Sequence, residues 1–232
     1  EFLFLAARAA GSKAQFVGIT GTNGKSTTTA LLRHILKGAG MPVAAGANLG
    51  PAATALPLLA RGAYVLEMSS YMLERLDALH FDLGAMLNLS PDHLDRHGGM
   101  PGYTDAKARI LAGNRVSVLG MDDAASRALA PRIRNRLMPI SGTTPQPGGV
   151  WAEGRLLRDD AGPILAAGEA AALPGTHNAQ NAAAAAALAL ALGITRAQLA
   201  EGLRSYPGLP HRQERVAERD GVLYVNDSKA TN

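Results

Sequence analysis

Ala14-Gln15-Phe16-Val17-Gly18-Ile19-Thr20-Gly21-Thr22-Asn23-Gly24-Lys25-Ser26-Thr27 is the stretch on which the fold turns. Its first half, Ala14 to Thr20, reads as a buried strand. It runs into a glycine-rich turn. A helical pattern follows, with Leu31, Leu32, Ile35 and Leu36 on one face. Strand, glycine-rich turn and helix in this order make the setting a phosphate cradle needs. Glycines let backbone N–H groups approach phosphate oxygens, and a helix N-terminus favours negative charge. In that reading Gly21, Thr22, Asn23, Gly24, Lys25, Ser26 and Thr27 form the loop. Lys25 reaches the β- and γ-phosphates, and the Ser26 hydroxyl ligates Mg²⁺. The usual spacing places a glycine where Ile19 stands; here the glycines are Gly18 and Gly21, so the loop is a variant. The competing reading is an ordinary glycine-rich turn with a surface lysine. The flanking strand and helix argue against it.

Outward from this stretch, short apolar runs alternate with helical ones. Pro42 to Ala45, Tyr64 to Met68, Ala85 to Leu89 and Arg115 to Leu119 read as further buried strands. A helix is expected from Thr104 to Leu111, with Thr104 as its N-cap. Around Glu153-Gly154, the runs Val150 to Ala152 and Arg155 to Leu157 suggest a hairpin. An alanine–leucine helix follows from about Asn178 to Leu192, and another from Thr195 to about Ser205. Pro207 to Pro210 reads as a linker, and Leu223 to Val225 begins a strand after it. The fold class is therefore α/β: a mostly parallel sheet with helices on both faces, plus a small antiparallel β region.

Composition narrows the chemistry. The chain has 232 residues, long enough for a sizeable core, and 47% of them are hydrophobic against 18% charged. A net charge of +4, not gathered into a block, gives no reason to expect nucleic acid. With no cysteine, disulfides, thiol catalysis and cysteine-bound zinc are excluded. The longest apolar run, Ala182 to Leu192, falls short of the roughly 20 residues of a membrane span. No basic leader with a cleavage site opens the chain. No membrane partner and a cytoplasmic location are the expectations.

Three further groups carry candidate chemistry. Glu67 ends an apolar run, and a carboxylate at the C-terminal end of a parallel strand lies in the ligand crevice of an open α/β sheet. There it holds a metal ion beside the phosphates or pairs with a neighbouring cation. Asn88-Leu-Ser-Pro-Asp92-His93-Leu-Asp95 follows another strand and brings Asp92 and His93 to the same edge. His93 is a metal or phosphate ligand, or a loop histidine with one local hydrogen bond. Lys107, taken alone, is a solvated lysine on the next helix.

Together these runs resemble a known family. Gly21-Thr-Asn-Gly24-Lys25-Ser26-Thr27, Leu66-Glu67-Met68-Ser69-Ser70, Asn88 to Arg96 and Tyr103-Thr-Asp-Ala-Lys107 occur in this order in the Mur ligases. Those are ATP-dependent ligases that add amino acids to the peptidoglycan precursor. Gly208-Leu-Pro-His211-Arg212 and Asn226-Asp227-Ser-Lys229-Ala-Thr231-Asn232 are similar to the member that joins D-glutamate to UDP-N-acetylmuramoyl-L-alanine. The resemblance runs from about Phe16 to Asn232. It implies a P-loop type ATP-binding domain with ATP and two Mg²⁺ ions. Lys25 would bind the phosphates, with Ser26 and Glu67 on one Mg²⁺. Lys107 matches a lysine carbamylated in this family, and with His93 would hold the second. Asn48 would sit near the γ-phosphate and the acceptor carboxylate. Asn178 and Asn181, one helical turn apart, would approach the adenine. Arg212 would bridge the phosphates and Asp227 bind the ribose. Lys229 and Thr231 would lie near the incoming glutamate, with His93 and Asn48 on the substrate side.

The resemblance also divides the chain. Residues 1–13 are expected to be a leader from an N-terminal domain that is absent. Residues 14–206 would form the central ATP-binding domain. Residues 207–232 would be a linker and the first strand of a truncated C-terminal domain. A fragment that binds Mg-ATP without ligating is one expectation, and a monomer another. Rival readings are another Mur ligase, a folylpolyglutamate synthase, a P-loop kinase or ATPase, and a nucleotide-binding module without catalysis.

Overall fold

The computed structural model describes residues 1–154 and 156–229. In chain order its elements are α1 (Phe2–Ala9), β1 (Gln15–Thr20), α2 (Lys25–Gly38), β2 (Val43–Ala47), β3 (Ala63–Glu67), α3 (Ser70–Glu74) and β4 (Leu83–Met86). Next come α4 (Leu94–His97), α5 (Met100–Ala108), β5 (Val116–Gly120), α6 (Ala124–Arg127), β6 (Arg136–Ser141), β7 (Val150–Glu153), β8 (Leu156–Asp159) and β9 (Gly162–Ala166). The last are α7 (Thr176–Ala191), α8 (Arg196–Arg204), β10 (Glu214–Arg219) and β11 (Val222–Asn226).

One nine-stranded sheet runs β2-β3-β1-β4-β5-β6-β7-β8-β9. It is parallel from β2 across to β7, and the meander β7-β8-β9 is antiparallel. Alternating strand residues feed two cores. Val17, Ile19, Val65, Leu83 and Val118 face a layer built with α2, α7 and α8. Phe16, Tyr64, Leu66, Met86 and Leu119 face the other layer, with Leu73 of α3, Tyr103 of α5 and Leu3 and Ala7 of α1. A strand covered on both faces must be apolar throughout, which is why these runs show no polar alternation. Residues 1–13, expected as a leader, thus contain a helix that buries two residues on the second layer. In α7, Ala182 to Leu188 are all buried; short side chains let that helix lie close to both α2 and the sheet.

The parallel α/β sheet of the sequence reading is the sheet observed. Three strands escaped that reading. β6 carries Pro139, which lacks an N–H for a ladder and so argues against a central strand. The fold accommodates it because β7 pairs only with Ile140 and Ser141, just beyond the proline. β9 contains Pro163 and was hidden in the same way. β10 pairs antiparallel with β11, so residues 214–226 form a separate two-stranded sheet rather than one strand. The helix expected from Thr104 instead begins at Met100, behind Gly99 at φ +108° and with Pro101 in its first turn. Proline at a helix start needs no donor, so Pro101 opens the helix and Thr104 lies inside it. Arg109–Leu111 continue it as a 3₁₀ turn. Arg155, expected in the β7–β8 hairpin, lies outside the described residues.

Thr195 caps α8 in a reciprocal box with Gln198. Thr195→Ala is expected to cost about 1 kcal/mol of unfolding free energy, read by urea titration. No described helix is long and apolar enough to cross a membrane.

Candidate active site

β1 lies between β3 and β4; the connection from β1 runs outward past β3 to β2, and the one from β3 runs the other way, past β1, to β4. The crevice beyond the C-terminal ends of these strands is where an open α/β sheet takes its ligand. The loop after β1 fills it. Gly24 opens α2 at φ +83°, and a Cβ there would stand 2.1 Å from Asn181 Oδ1. Both facts demand glycine. The loop is also pinned from the segment after β4. Thr22 Oγ1 accepts from the Ser90 amide at 3.0 Å and lies 3.1 Å from Tyr103 Oη. Asn23 N donates to Asn88 Oδ1 at 2.8 Å, and Asn88 Nδ2 returns a bond to Asn23 O at 3.2 Å. Gly24→Ala is expected to cost about 1–3 kcal/mol of stability and to weaken nucleotide binding, measured by thermal unfolding with and without ADP.

Two lysines converge on one carbonyl. Lys25 Nζ donates to Gly21 O at 3.0 Å and Thr22 O at 2.7 Å. Lys107 Nζ donates to the same Gly21 O at 2.8 Å and to Thr20 Oγ1 at 3.3 Å, and it sits 4.9 Å from the Tyr103 ring centroid. Lys107 is 2% exposed, so it is no solvated lysine. Burial, with Lys25 adding to it, pushes its pKa down to about 7, while Asp92 and Glu67 pull the other way. Burial also lowers the Lys25 pKa, opposed by Glu67 and Asp92 and abetted by Arg212.

Glu67 is 1% exposed at the end of β3. Its Oε1 accepts from Asn48 Nδ2 at 2.7 Å. Its Oε2 is buried without a partner among the described residues. A buried carboxylate oxygen with no donor is costly unless a cation or donor comes to it. That orphaned oxygen fits a Mg²⁺ ion, a hard cation that favours oxygen ligands. Ser26 is buried in the first turn of α2, on the same loop. Among the described residues no three His, Asp or Glu side chains gather into a metal-binding group. His93 has φ +50°, with Nε2 3.5 Å from Asp92 Oδ2 and its ring 5.2 Å from that of Tyr71.

On the other side of the loop is a cleft of about 390 Å³. It brings Asn23, Gly24 and Thr27 together with Asn178, Asn181, Arg212 and Asp227. Asn178 and Asn181 are one turn apart in α7. Asn181 Nδ2 donates to Asn178 Oδ1 at 3.1 Å, and Asn178 Nδ2 to Pro174 O at 2.8 Å. Thr28 Oγ1 donates to Asn181 Oδ1 at 3.3 Å, tying α7 to α2. Asp227 Oδ1 accepts from Gln213 N at 3.2 Å. Lys229 lies apart from this cleft, its amide donating to His211 O at 3.1 Å. Thr231 lies outside the described residues. Gln180 and His177 also line the cleft, as does Asn88, and none of the three is a candidate on sequence alone. Gln180 Oε1 accepts from Asn88 Nδ2 at 3.2 Å, so α7, the β4 loop and the phosphate loop share one amide chain. Asn88 stands within a quoted run; nothing local marks Gln180.

Residues 19–189 match the family described as the Mur ligase middle domain. The chain is 47% identical to a UDP-N-acetylmuramoylalanine–D-glutamate ligase of Paramagnetospirillum magneticum, over 94% of this chain and 50% of that protein. It is 49% identical to the ligase of the same name from Rhodospirillum rubrum, over 94% of this chain and 48% of that one. The chain thus spans about half the length of the curated relatives it matches. Among solved structures, MurF from Acinetobacter baumannii superposes with a TM-score of 0.76 at 22% identity, covering 97% of this chain and 53% of that one. MurF ligase from Thermotoga maritima in complex with ADP superposes at 0.74 with 21% identity, covering 97% and 56%. Those two likenesses speak for the fold. By the family match over most of its length, the chain belongs to the Mur ligase family and carries its middle domain.

Proposed function

We propose that this chain is the ATP-binding core of a ligase that joins D-glutamate to UDP-N-acetylmuramoyl-L-alanine. The observation that carries the proposal is the pair of lysines on Gly21 O beside the unpartnered oxygen of Glu67. The Lys25 ammonium, partly desolvated and held only by loop carbonyls, suits a polyphosphate. The amino-acid specificity rests on the likeness to D-glutamate ligases.

The chemistry follows from the groups present. The carboxylate of the precursor attacks the γ-phosphorus of ATP, the bond to the ADP oxygen breaks, and an acyl phosphate forms. The D-glutamate amine then attacks the acyl carbon, phosphate leaves with its electron pair, and the nitrogen loses a proton. The amide is the product. Lys25 neutralises charge on the transferring phosphoryl oxygens. The loop amides at the start of α2 hold the phosphates. Asn178, Asn181, Arg212 and Asp227 hold the nucleoside and phosphate ends of ATP across the cleft. Ser26 and Glu67 would hold one Mg²⁺, and His93 with a carbamylated Lys107 a second. The ions supply charge neutralisation when bound. Asn48, which fixes Glu67, also stands on the side of the acceptor carboxylate, as does His93. Lys229 and Thr231 belong to the glutamate end.

Residues 207–232 read as the linker and opening of the domain that presents glutamate, and residues 14–206 as the ATPase core. A monomer in the cytoplasm, where nucleotide-linked sugars are made, completes the reading. The test uses precursor labelled with oxygen-18 in its carboxylate and the protein at its full natural length. The expected result is label in the released phosphate and a D-glutamyl amide product. Unlabelled phosphate would exclude the acyl phosphate.

A further inference from the structure

We propose that His97, bridged to Ser70 and Glu74, is a positioning residue that sets the end of β3 against the Asp92–His93 segment. The inference rests on the ligase reading for what Glu67 and His93 do. It adds the device that holds them in register.

The His97 side chain is 1% exposed. Its Nε2 lies 3.0 Å from Ser70 Oγ and its Nδ1 2.9 Å from Glu74 Oε1. Ser70 and Glu74 are the first and last residues of α3, one turn apart on one face, so the ring spans that face. Two lone pairs at 2.9 Å would repel, so Nδ1 carries a proton, and Nε2 shares the hydrogen bond with the Ser70 hydroxyl. The Glu74 contact is close but off the hydrogen-bond direction. Glu74 Oε2 in turn accepts from Arg96 at 3.0 Å.

The backbone of His97 is fixed as firmly. A Cβ on Gly102 would stand 2.0 Å from His97 O, so α4 and α5 meet there with no room between them. His97 therefore joins three helices: α3, which starts three residues after Glu67; α4, which starts one residue after His93; and α5, which carries Lys107. Its ring lies 5.6 Å from Tyr71 and 5.5 Å from Tyr103. Tyr71 packs on the His93 ring, and Tyr103 reaches Thr22 of the phosphate loop. An apolar side chain would fill this junction without desolvating a carboxylate. The polar arrangement adds direction, which packing alone does not.

The experiment uses the protein at full natural length, with Mn²⁺ as the probe. Mn²⁺ binding with ADP present is followed by its electron paramagnetic resonance, beside steady-state kinetics. In His97→Ala the Mn²⁺ affinity and kcat are each expected to fall about tenfold or more. Metal-free ADP affinity and KM for ATP stay within about twofold. His97→Gln, which keeps a partner for Ser70, recovers most of the loss. Ser70→Ala and the Ser70→Ala/His97→Ala pair lose no more than His97→Ala alone. A folded His97→Ala with wild-type Mn²⁺ affinity and kcat would overturn the proposal, as would losses that multiply in the pair. If His97→Ala does not fold, His97→Gln and Ser70→Ala decide it. Wild-type metal binding in both would then sink it. Wild-type protein that binds Mn²⁺ and ADP but forms no D-glutamyl amide would refute the ligase reading instead, leaving the metal readout to judge His97.

Discussion

Lys25→Ala is expected to lower kcat/KM for ATP by about 10³-fold, the scale of losing a preorganised cationic contact on a transferring group. Lys25 stands at the start of α2 with its Nζ held by Gly21 O and Thr22 O. Burial already disfavours its charge, and Glu67 and Asp92 offset that. A phosphate group completes the compensation. Without the ammonium, charge developing on the phosphoryl oxygens meets only backbone dipoles and metal. Lys25→Arg is expected to restore little, because a planar guanidinium does not fit a point contact between two loop carbonyls. The fold should tolerate both changes, so thermal unfolding serves as the control. A loss below about tenfold in kcat/KM would remove Lys25 from the chemistry.

Lys107→Ala is expected to lower kcat by about 10²–10³-fold with metal affinity reduced alongside. The reason lies in its environment. A lysine pressed down to about pH 7 by burial and by Lys25 is substantially neutral at physiological pH. On the proposed reading, the neutral amine would attack CO₂; the carbon–nitrogen bond would form, the nitrogen would release a proton, and a carbamate anion would result. That change would turn Lys25 from a repelling neighbour into an attracting one. The sign of the pH dependence follows. As pH falls through about 7 the amine protonates and its reaction with CO₂ is lost, so carbamate and activity decline together on the acid side. Carbon-13 bicarbonate should give a carbamate resonance that is absent in Lys107→Ala. A resonance of equal intensity in the variant would assign it elsewhere.

The sequence made the centre of the sheet legible because the signals there are local. β1, the glycine turn and α2 are adjacent, and their apolar residues repeat at strand and helix spacing. β6 was not legible because Pro139 contradicts it locally, while what tolerates the proline is the placement of β7. Thr104 was misread because the start of α5 is set by Gly99 and Pro101, and a threonine inside a helix imitates a cap. The site divides likewise. Gly24 and Lys25 announce themselves in one short run. Lys107, on residue type alone, reads as solvated; only the likeness to a family reversed that. Its burial comes from α5 laying Tyr103 and Lys107, one turn apart, against the strand ends. Gln180 reaches Asn88 across 92 residues, a separation no pattern in one sequence reports.

The ligase reading is tested most sharply by phosphate release from Mg-ATP by the protein at full natural length. UDP-N-acetylmuramoyl-L-alanine and a panel of amino acids are supplied singly and together. Release is expected only when the nucleotide precursor and D-glutamate are both present, and it is lost in Lys25→Ala. Release without either acceptor, or only with a different amino acid, would contradict it.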